Sequence, residues 1–267
     1  MNAQRIELNG APASIDDLRA IALVNYGHFT SMQAEQGCVR GLDLHLARLD
    51  RATRELFGCG LDMDAVRAYL RHAIDGDRAA SSLRVNVFAR DLDRDHPIRA
   101  ARPDVLVTAG PARRIPTEPL RLRSVRYQRE APHLKHVGTF GLFHQRRLAQ
   151  AQGYDDALFV DASGAISEGS IWNIGFFDGK RVVWPNAAQL DGVSMQLLKA
   201  GLRERGVAQV ERCVELSDVA AFRAAFLTNS SCFARSIARI DEVDLALDTG
   251  LPALLEDAWA SRPLQRI

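Results

Sequence analysis

The feature that most constrains this chain is a break in its middle. Between Ala109 and Pro119 lie Gly110, Pro111, Pro116 and Pro119 with few apolar residues. Such a stretch can continue neither a helix nor an internal strand, because each proline lacks an N–H and fixes φ. The chain is thereby divided into residues 1–109 and 120–267, joined by a linker over 110–119. With 267 residues, 47% of them apolar, there is enough material for two cores of ordinary size.

Both lengths mix strand and helix patterns. In the first, Arg5 to Asn9 alternates like an edge strand and Asn9-Gly10 is a hairpin turn signal. Residues 22–36 read as extended, and Gly37 and Gly41 bracket a short hairpin. Asp43 is the expected cap of a helix carrying Leu44, Leu46, Leu49, Ala52, Leu56 and Phe57, and Asp62 caps a second with Val66, Tyr69 and Leu70. Strands are expected at 83–89 and 105–108. In the second length, strands at 120–125, 157–160, 181–184 and 225–227 are interspersed with helices at 193–205 and 251–259. The βαβ rhythm of a doubly wound sheet is absent, so the expected class is α+β. The sequence contains no internal repeat and no GxGxxG, P-loop or HExxH motif, and no metal site is assigned.

Composition excludes several function classes. A formal charge of +1 gives no electrostatic case for nucleic acid or a membrane surface. No apolar run approaches the roughly 18 residues of a membrane span, and the first residues lack a signal-peptide core. Cys38, Cys59, Cys213 and Cys232 form no CxxC pair, which points to free thiols in a reducing compartment and so to the cytoplasm.

Basic charge is carried by 31 arginines against three lysines, Lys135, Lys180 and Lys199. An amine that acts as a nucleophile must lose its proton near neutral pH, which a guanidinium cannot do. Lys180, in the turn 178–181, and Lys199, in the run 193–205, are expected to be solvated. Lys135 follows the break at Pro132 and precedes a helix of about 13 residues with apolar positions Phe140, Phe143, Leu148 and Ala151, stopped by Gly153. Beyond it come a strand at 157–160, a turn at 161–164, Glu168 and Asn173. By themselves these residues leave Lys135 open as a solvated loop lysine or a reactive amine.

The stretch from Lys135 through Gly153 to Glu168 and Asn173 resembles the class IV, or fold-type IV, pyridoxal-phosphate enzymes. These include branched-chain and D-amino-acid aminotransferases and aminodeoxychorismate lyase. The likeness covers nearly the whole chain, and the spacing runs without a gap against the D-amino-acid type. It implies a small N-terminal α/β domain over 1–109, a larger mixed α/β cofactor-binding domain over 120–267, pyridoxal 5'-phosphate as cofactor and a homodimer.

The resemblance also implies roles for particular residues. Lys135 would be the Schiff-base lysine and the acid and base that moves the α-proton. Glu168, within a Glu-x-x-x-x-Asn element, would pair with the pyridine nitrogen. Arg48, in His45-Leu-Ala-Arg48-Leu49, would hold the phosphate, with His45 packing structurally. The helix start Gly192-Val193-Ser194 and the loop Thr228-Asn229-Ser230 would supply amides and hydroxyls to the same phosphate. Departures from the usual pattern fall at Ile171, Trp172, Gly175, Trp184, Met195 and Ser236, and those at Ile171, Trp172 and Gly175 bear on substrate size. Arg94-Asp95-His96 resembles the Arg-x-His that holds a substrate carboxylate, one residue out of register. Phe29 and Thr30, in Gly27-His-Phe-Thr30, resemble the lyase region in which a threonine assists elimination.

The expected activity is amino transfer between an amino acid or amine and a 2-keto acid. The alternatives are elimination releasing pyruvate and a catalytically lapsed member of the family.

Overall fold

The computed structural model describes residues 4–74, 80–113 and 116–267. They pack as two units, Met1–Arg114 with Leu134–Gly138 and Pro263–Ile267, and Ile115–His133 with Thr139–Arg262. Neither is one continuous stretch, since the segment carrying Lys135 groups with the first unit.

The first unit runs β1 (Arg5–Leu8), β2 (Ala11–Pro12), α1 (Ile15–Leu23), β3 (His28–Glu35), β4 (Cys38–Arg40), α2 (Leu42–Phe57), α3 (Met63–Ala73), β5 (Ser81–Phe88) and β6 (Asp104–Pro111). The second carries β7 (Leu120–Arg126), α4 (Phe140–Ala151), β8 (Asp156–Val160), β9 (Ile166–Gly169), β10 (Asn173–Phe177), β11 (Val182–Pro185), α5 (Val193–Glu204), β12 (Gln209–Arg212), β13 (Ala224–Asn229), β14 (Cys232–Ile240), β15 (Val243–Asp244) and α6 (Gly250–Ala260). The last strand, β16 (Leu264–Arg266), belongs to the first unit.

The first unit is one open sheet in the order β16-β4-β3-β5-β6-β1-β2. Its strands obey the period of two. Met32, Leu83, Val85, Val87, Val105 and Val107 point to one face and pack beneath α2 and α3 with Leu42, Leu46, Leu49, Val66 and Leu70. On the other side Leu8, Phe88 and Leu106 are covered by Leu18 and Ile21 of α1.

The second unit closes on itself. Its sheet follows the order β12-β11-β10-β13-β14-β7-β8-β9, and β9 also pairs with β10, where Glu168 lies opposite Asn173. Strands β10, β13, β14, β7, β8 and β9 therefore form a ring. Strand β13 shows both faces of its wall, with Ala225 and Leu227 in the cluster that holds Ile174, Phe176 and Trp172, and Ala224 and Phe226 against α5 and α6.

Four sequence expectations change. Helix α1 occupies the start of the stretch read as extended. It is set by a local capping box between Ser14 and Asp17, and its apolar side chains Leu18 and Ile21 are only partly buried. Asp43 lies inside the first turn of α2, whose cap is Gly41 with φ of 71°. Gly110 and Pro111, assigned to the linker, pair with Ser82 and Ser81 as the end of β6.

Helix α4 turns a different face inward. It buries Leu142 and Ala149 and leaves Phe140 80%, Phe143 50% and Leu148 43% exposed. What sets this orientation is polar. The buried Asp156 of β8 takes the Arg146 guanidinium at 2.6 Å, the Ser170 hydroxyl at 2.7 Å and the Trp172 indole N–H at 2.8 Å. We expect Asp156→Ala to strand those donors and cost on the order of 3 kcal/mol of stability, read as a lower urea midpoint by tryptophan fluorescence. Asp156→Asn should cost less, because its amide oxygen still accepts from Trp172. An unchanged midpoint for Asp156→Ala would refute the assignment.

Candidate active site

Lys135 is fixed by its backbone. Its carbonyl accepts from the Phe29 N–H at 2.8 Å, the Val137 N–H donates to the Gly27 carbonyl at 3.0 Å, and His136 bridges to His28, so the segment runs as a short antiparallel partner to the start of β3. Leu134 and Val137 on either side are buried. Gly27 is required here, since a Cβ would collide with the Val87 carbonyl oxygen.

The Lys135 amine lies 4.9 Å from the centroid of the Phe29 ring, and the guanidinium carbon of Arg84 lies 3.6 Å from the same centroid. A single buried aromatic ring thus carries two cations. Arg84 reaches it from β5, where Asn86 pairs with Phe29, and its Nε donates to Asn86 at 2.8 Å. Burial, followed by the nearby Arg113, lowers the affinity of Arg84 for its proton.

On the opposite face of β3, Thr30 points to α2. Its hydroxyl lies 2.6 Å from Nδ1 of His45, and both side chains are buried, as is Arg48 one turn further along the helix. His45 is pushed down to about 3 by burial, then by the charges of Arg48 and Lys135. It is a neutral ring over the working pH range. Nearby, Thr53 donates its one hydroxyl proton to the Leu49 carbonyl, so Nε2 of His28, 2.9 Å from that hydroxyl, carries the hydrogen. Nδ1 of His28 is left as a buried lone pair without a partner, and burial takes this ring down to about 4.

The second unit holds a separate group of residues in register. Glu168 of β9 lies opposite Asn173 of β10, and Asn173 lies opposite Thr228 of β13. All three are buried. The Asn173 amide donates to the Leu190 carbonyl at 2.7 Å and to Gln189 at 3.0 Å, which fixes the loop leading into α5. Gly192 caps that helix and has no room for a side chain, since a Cβ would strike Asn173 Oδ1. The first-turn amides of a helix have no acceptor within it, and α5 brings those of Val193 and Ser194 to its start without a capping side chain.

Thr228 Oγ1 is buried without a partner. A buried hydroxyl without a protein partner and helix amides without a side-chain cap are both groups that an anion satisfies. The Asn229 side-chain oxygen accepts from the amides of Ser231 and Cys232, both at 2.9 Å, and so shapes the loop. Ser230 is half-buried in the same turn.

Other assigned residues are placed elsewhere. Arg94 and His96 lie in an exposed loop after β5, with His96 held 3.4 Å from Asp93, and it is Arg84 that shares the Phe29 ring with Lys135. Trp172 is buried in the inner core with its N–H given to Asp156, and Ile171 packs at the edge of the same cluster. Lys199 is largely buried, not solvated, being paired with Glu211 at 3.1 Å and placed over Trp184.

Two residues had escaped sequence reading. Arg129 is buried and bound to Glu168, and Arg84 stands in a strand where only the alternation of β5 could have marked it as facing away from the helices.

The model of the amino-transferase class IV family matches residues 27–240. A probable branched-chain-amino-acid aminotransferase of Rickettsia felis is 32% identical over 101 residues, 38% of this chain and 34% of that protein. The match thus spans about a third of the length of that curated relative. Among solved structures, a branched-chain aminotransferase from Thermoproteus uzoniensis, determined with norvaline, superposes with a TM-score of 0.86 at 18% identity, over 96% of this chain and 94% of its own. A hypothetical aminotransferase from Mycobacterium tuberculosis in its PLP-bound form gives 0.79 at 18%, over 97% and 98%. At these identities the superpositions establish the fold.

The two buried rings make stability depend on pH. In the unfolded chain a histidine takes a proton near pH 6.5, whereas His28 and His45 in the fold resist doing so until about 4 and about 3. The unfolded state therefore binds more protons between those values, and stability is lost as pH falls below 6.5. The expected slope is up to about 1.4 kcal/mol per pH unit for each ring. Urea titrations at several pH values between 7 and 5 measure it, and a flat profile would show that the rings take up protons in the fold as readily as in the unfolded chain.

Proposed function

The chain belongs to the class IV aminotransferase family, and we propose that it is a pyridoxal-phosphate-dependent aminotransferase acting between an amino acid and a 2-keto acid. The observation that carries this reading is the placement of Lys135 beside Arg84 on the Phe29 ring, an amine and a carboxylate receptor within one small area.

The residues fit the cofactor. Within the second unit, a phosphate dianion suits the unpartnered Thr228 hydroxyl and the amides that open α5. Glu168 supplies a buried carboxylate for the ring nitrogen. When bound, pyridoxal phosphate supplies an aldehyde that condenses with amines and a ring that absorbs the electrons left behind by a departing α-proton.

The chain's own residues do the rest. Lys135 would hold the cofactor's aldehyde, and its Nζ, once displaced by a substrate amine, would be the group that carries the α-proton away from the substrate. Arg84 receives the substrate carboxylate through a planar fork that stays charged. Elimination assisted by Thr30 is disfavoured, because that hydroxyl is buried against His45 on the face of β3 opposite to Phe29 and Lys135.

A homodimer accompanies this reading. It is supported by the apolar face of α4, where Phe140, Phe143 and Leu148 stand in solvent on a single chain. Cytoplasmic location is supported by four free cysteines, and no described helix is long and apolar enough to cross a membrane.

Two outcomes test the assignment. Borohydride treatment of the purified protein with pyridoxal phosphate, followed by peptide mapping, should place the label on Lys135, and Lys135→Ala should retain none. A label on Lys180 or Lys199 would overturn the reading. Arg84→Met should raise KM for α-amino acids about ten- to a hundredfold, the worth of one charge-assisted contact, while leaving amines without a carboxylate unaffected. Release of pyruvate without an acceptor keto acid would favour elimination.

A further inference from the structure

Arg129 lies in the irregular segment between β7 and the turn at Pro132, and is only 7% exposed. A guanidinium buried to that degree requires partners. Its Nε donates to Oε1 of Glu168 at 3.2 Å, and one of its terminal nitrogens donates to the Pro132 carbonyl. The other carboxylate oxygen, Oε2, accepts from the Leu190 amide at 3.2 Å. Each oxygen of Glu168 is thus held by a donor from a different segment, one before Lys135 in sequence and one from the loop that opens α5.

This arrangement does more than fill hydrogen-bonding capacity. The backbone of Glu168 is already set by the pairing with Asn173, so the Cα position needs no further support. What remains free is the plane and the charge of the carboxyl. A guanidinium never gives up its proton, and a fork that spends two of its N–H directions on acceptors at different points fixes the plane of both groups. Donors to both oxygens favour the ionised form of a carboxyl over its neutral form.

We propose that Arg129 is the positioning residue of Glu168, holding its carboxylate charged and in one plane so that the cofactor's ring nitrogen keeps its proton. This rests on the assignment of pyridoxal phosphate made above. Two other roles make different predictions. If Arg129 only ties down the turn at Pro132, its loss lowers stability and leaves the ring nitrogen unchanged. If its positive charge acts directly on the ring, its loss makes the ring nitrogen hold its proton to higher pH.

Pyridoxal phosphate labelled with 15N at the ring, bound to the protein and followed by NMR between pH 6 and 9, separates these outcomes. Wild type should show a protonated nitrogen and Glu168→Gln an unprotonated one. Arg129→Met should lose the ring proton at least about one pH unit below wild type, a tenfold change in that equilibrium. Arg129→Lys keeps the charge but cannot serve Glu168 and Pro132 together, so its midpoint should fall between the two. It carries the test if the methionine variant does not fold. An Arg129 variant that binds the cofactor with the wild-type ring signal throughout, or with a midpoint raised, overturns the proposal. Wild-type protein that takes up no pyridoxal phosphate would instead overturn the functional assignment, and this one with it.

Discussion

The second unit depends on one cross-strand pair. Where Glu168 lies opposite Asn173, β9 joins β10 and the sheet becomes a ring. The same register sets Thr228 beside Asn173, and the Asn173 amide reaches outward to fix Leu190 and the start of α5. Closing the sheet and assembling the polar row are therefore a single act. A slip of one residue would turn Glu168 and Thr228 to the other face, because the side-chain period of a strand is two.

Several polar groups in these interiors are held by neighbours that are themselves already engaged. Thr53 gives its proton to a backbone carbonyl and so dictates the tautomer of His28. His45 is kept neutral by burial and by two cations, with the Thr30 hydroxyl at its Nδ1. Asp156 gathers an arginine, a serine and a tryptophan, and by doing so decides which face of α4 is buried. In a low dielectric, an unmet donor costs more than a neutral contact gains. Polar pairing thus overrides apolar pattern where the two compete, as Phe140 and Phe143 show by standing exposed.

The two faces of β3 divide the chemistry of the first unit. Phe29 faces the amine of Lys135 and the guanidinium of Arg84, and Thr30, one residue on, faces His45 and the helix that carries Arg48. Alternation along one strand thus gives the amine and the Arg84 guanidinium one face and the buried His45 and Arg48 the other. This division weighs against a catalytic threonine and in favour of amino transfer.

Much of this was legible in the sequence. The alternation of β5 and β6, the cap at Asp62, the turn at Asn9-Gly10 and the helix from Val193 follow from local propensity and periodicity, which act over a few residues. The scarcity of lysine singled out Lys135, and the spacing to Glu168 and Asn173 carried the family resemblance. Sequence could not show that β9 closes onto β10, that Arg129 reaches a glutamate 39 residues away, or that Arg84 and not Arg94 meets the Phe29 ring. Those are contacts between segments remote in the chain, and no local period encodes them. They exist only when strand register and burial bring the charges together, out of water, where pairing is worth enough to decide the structure.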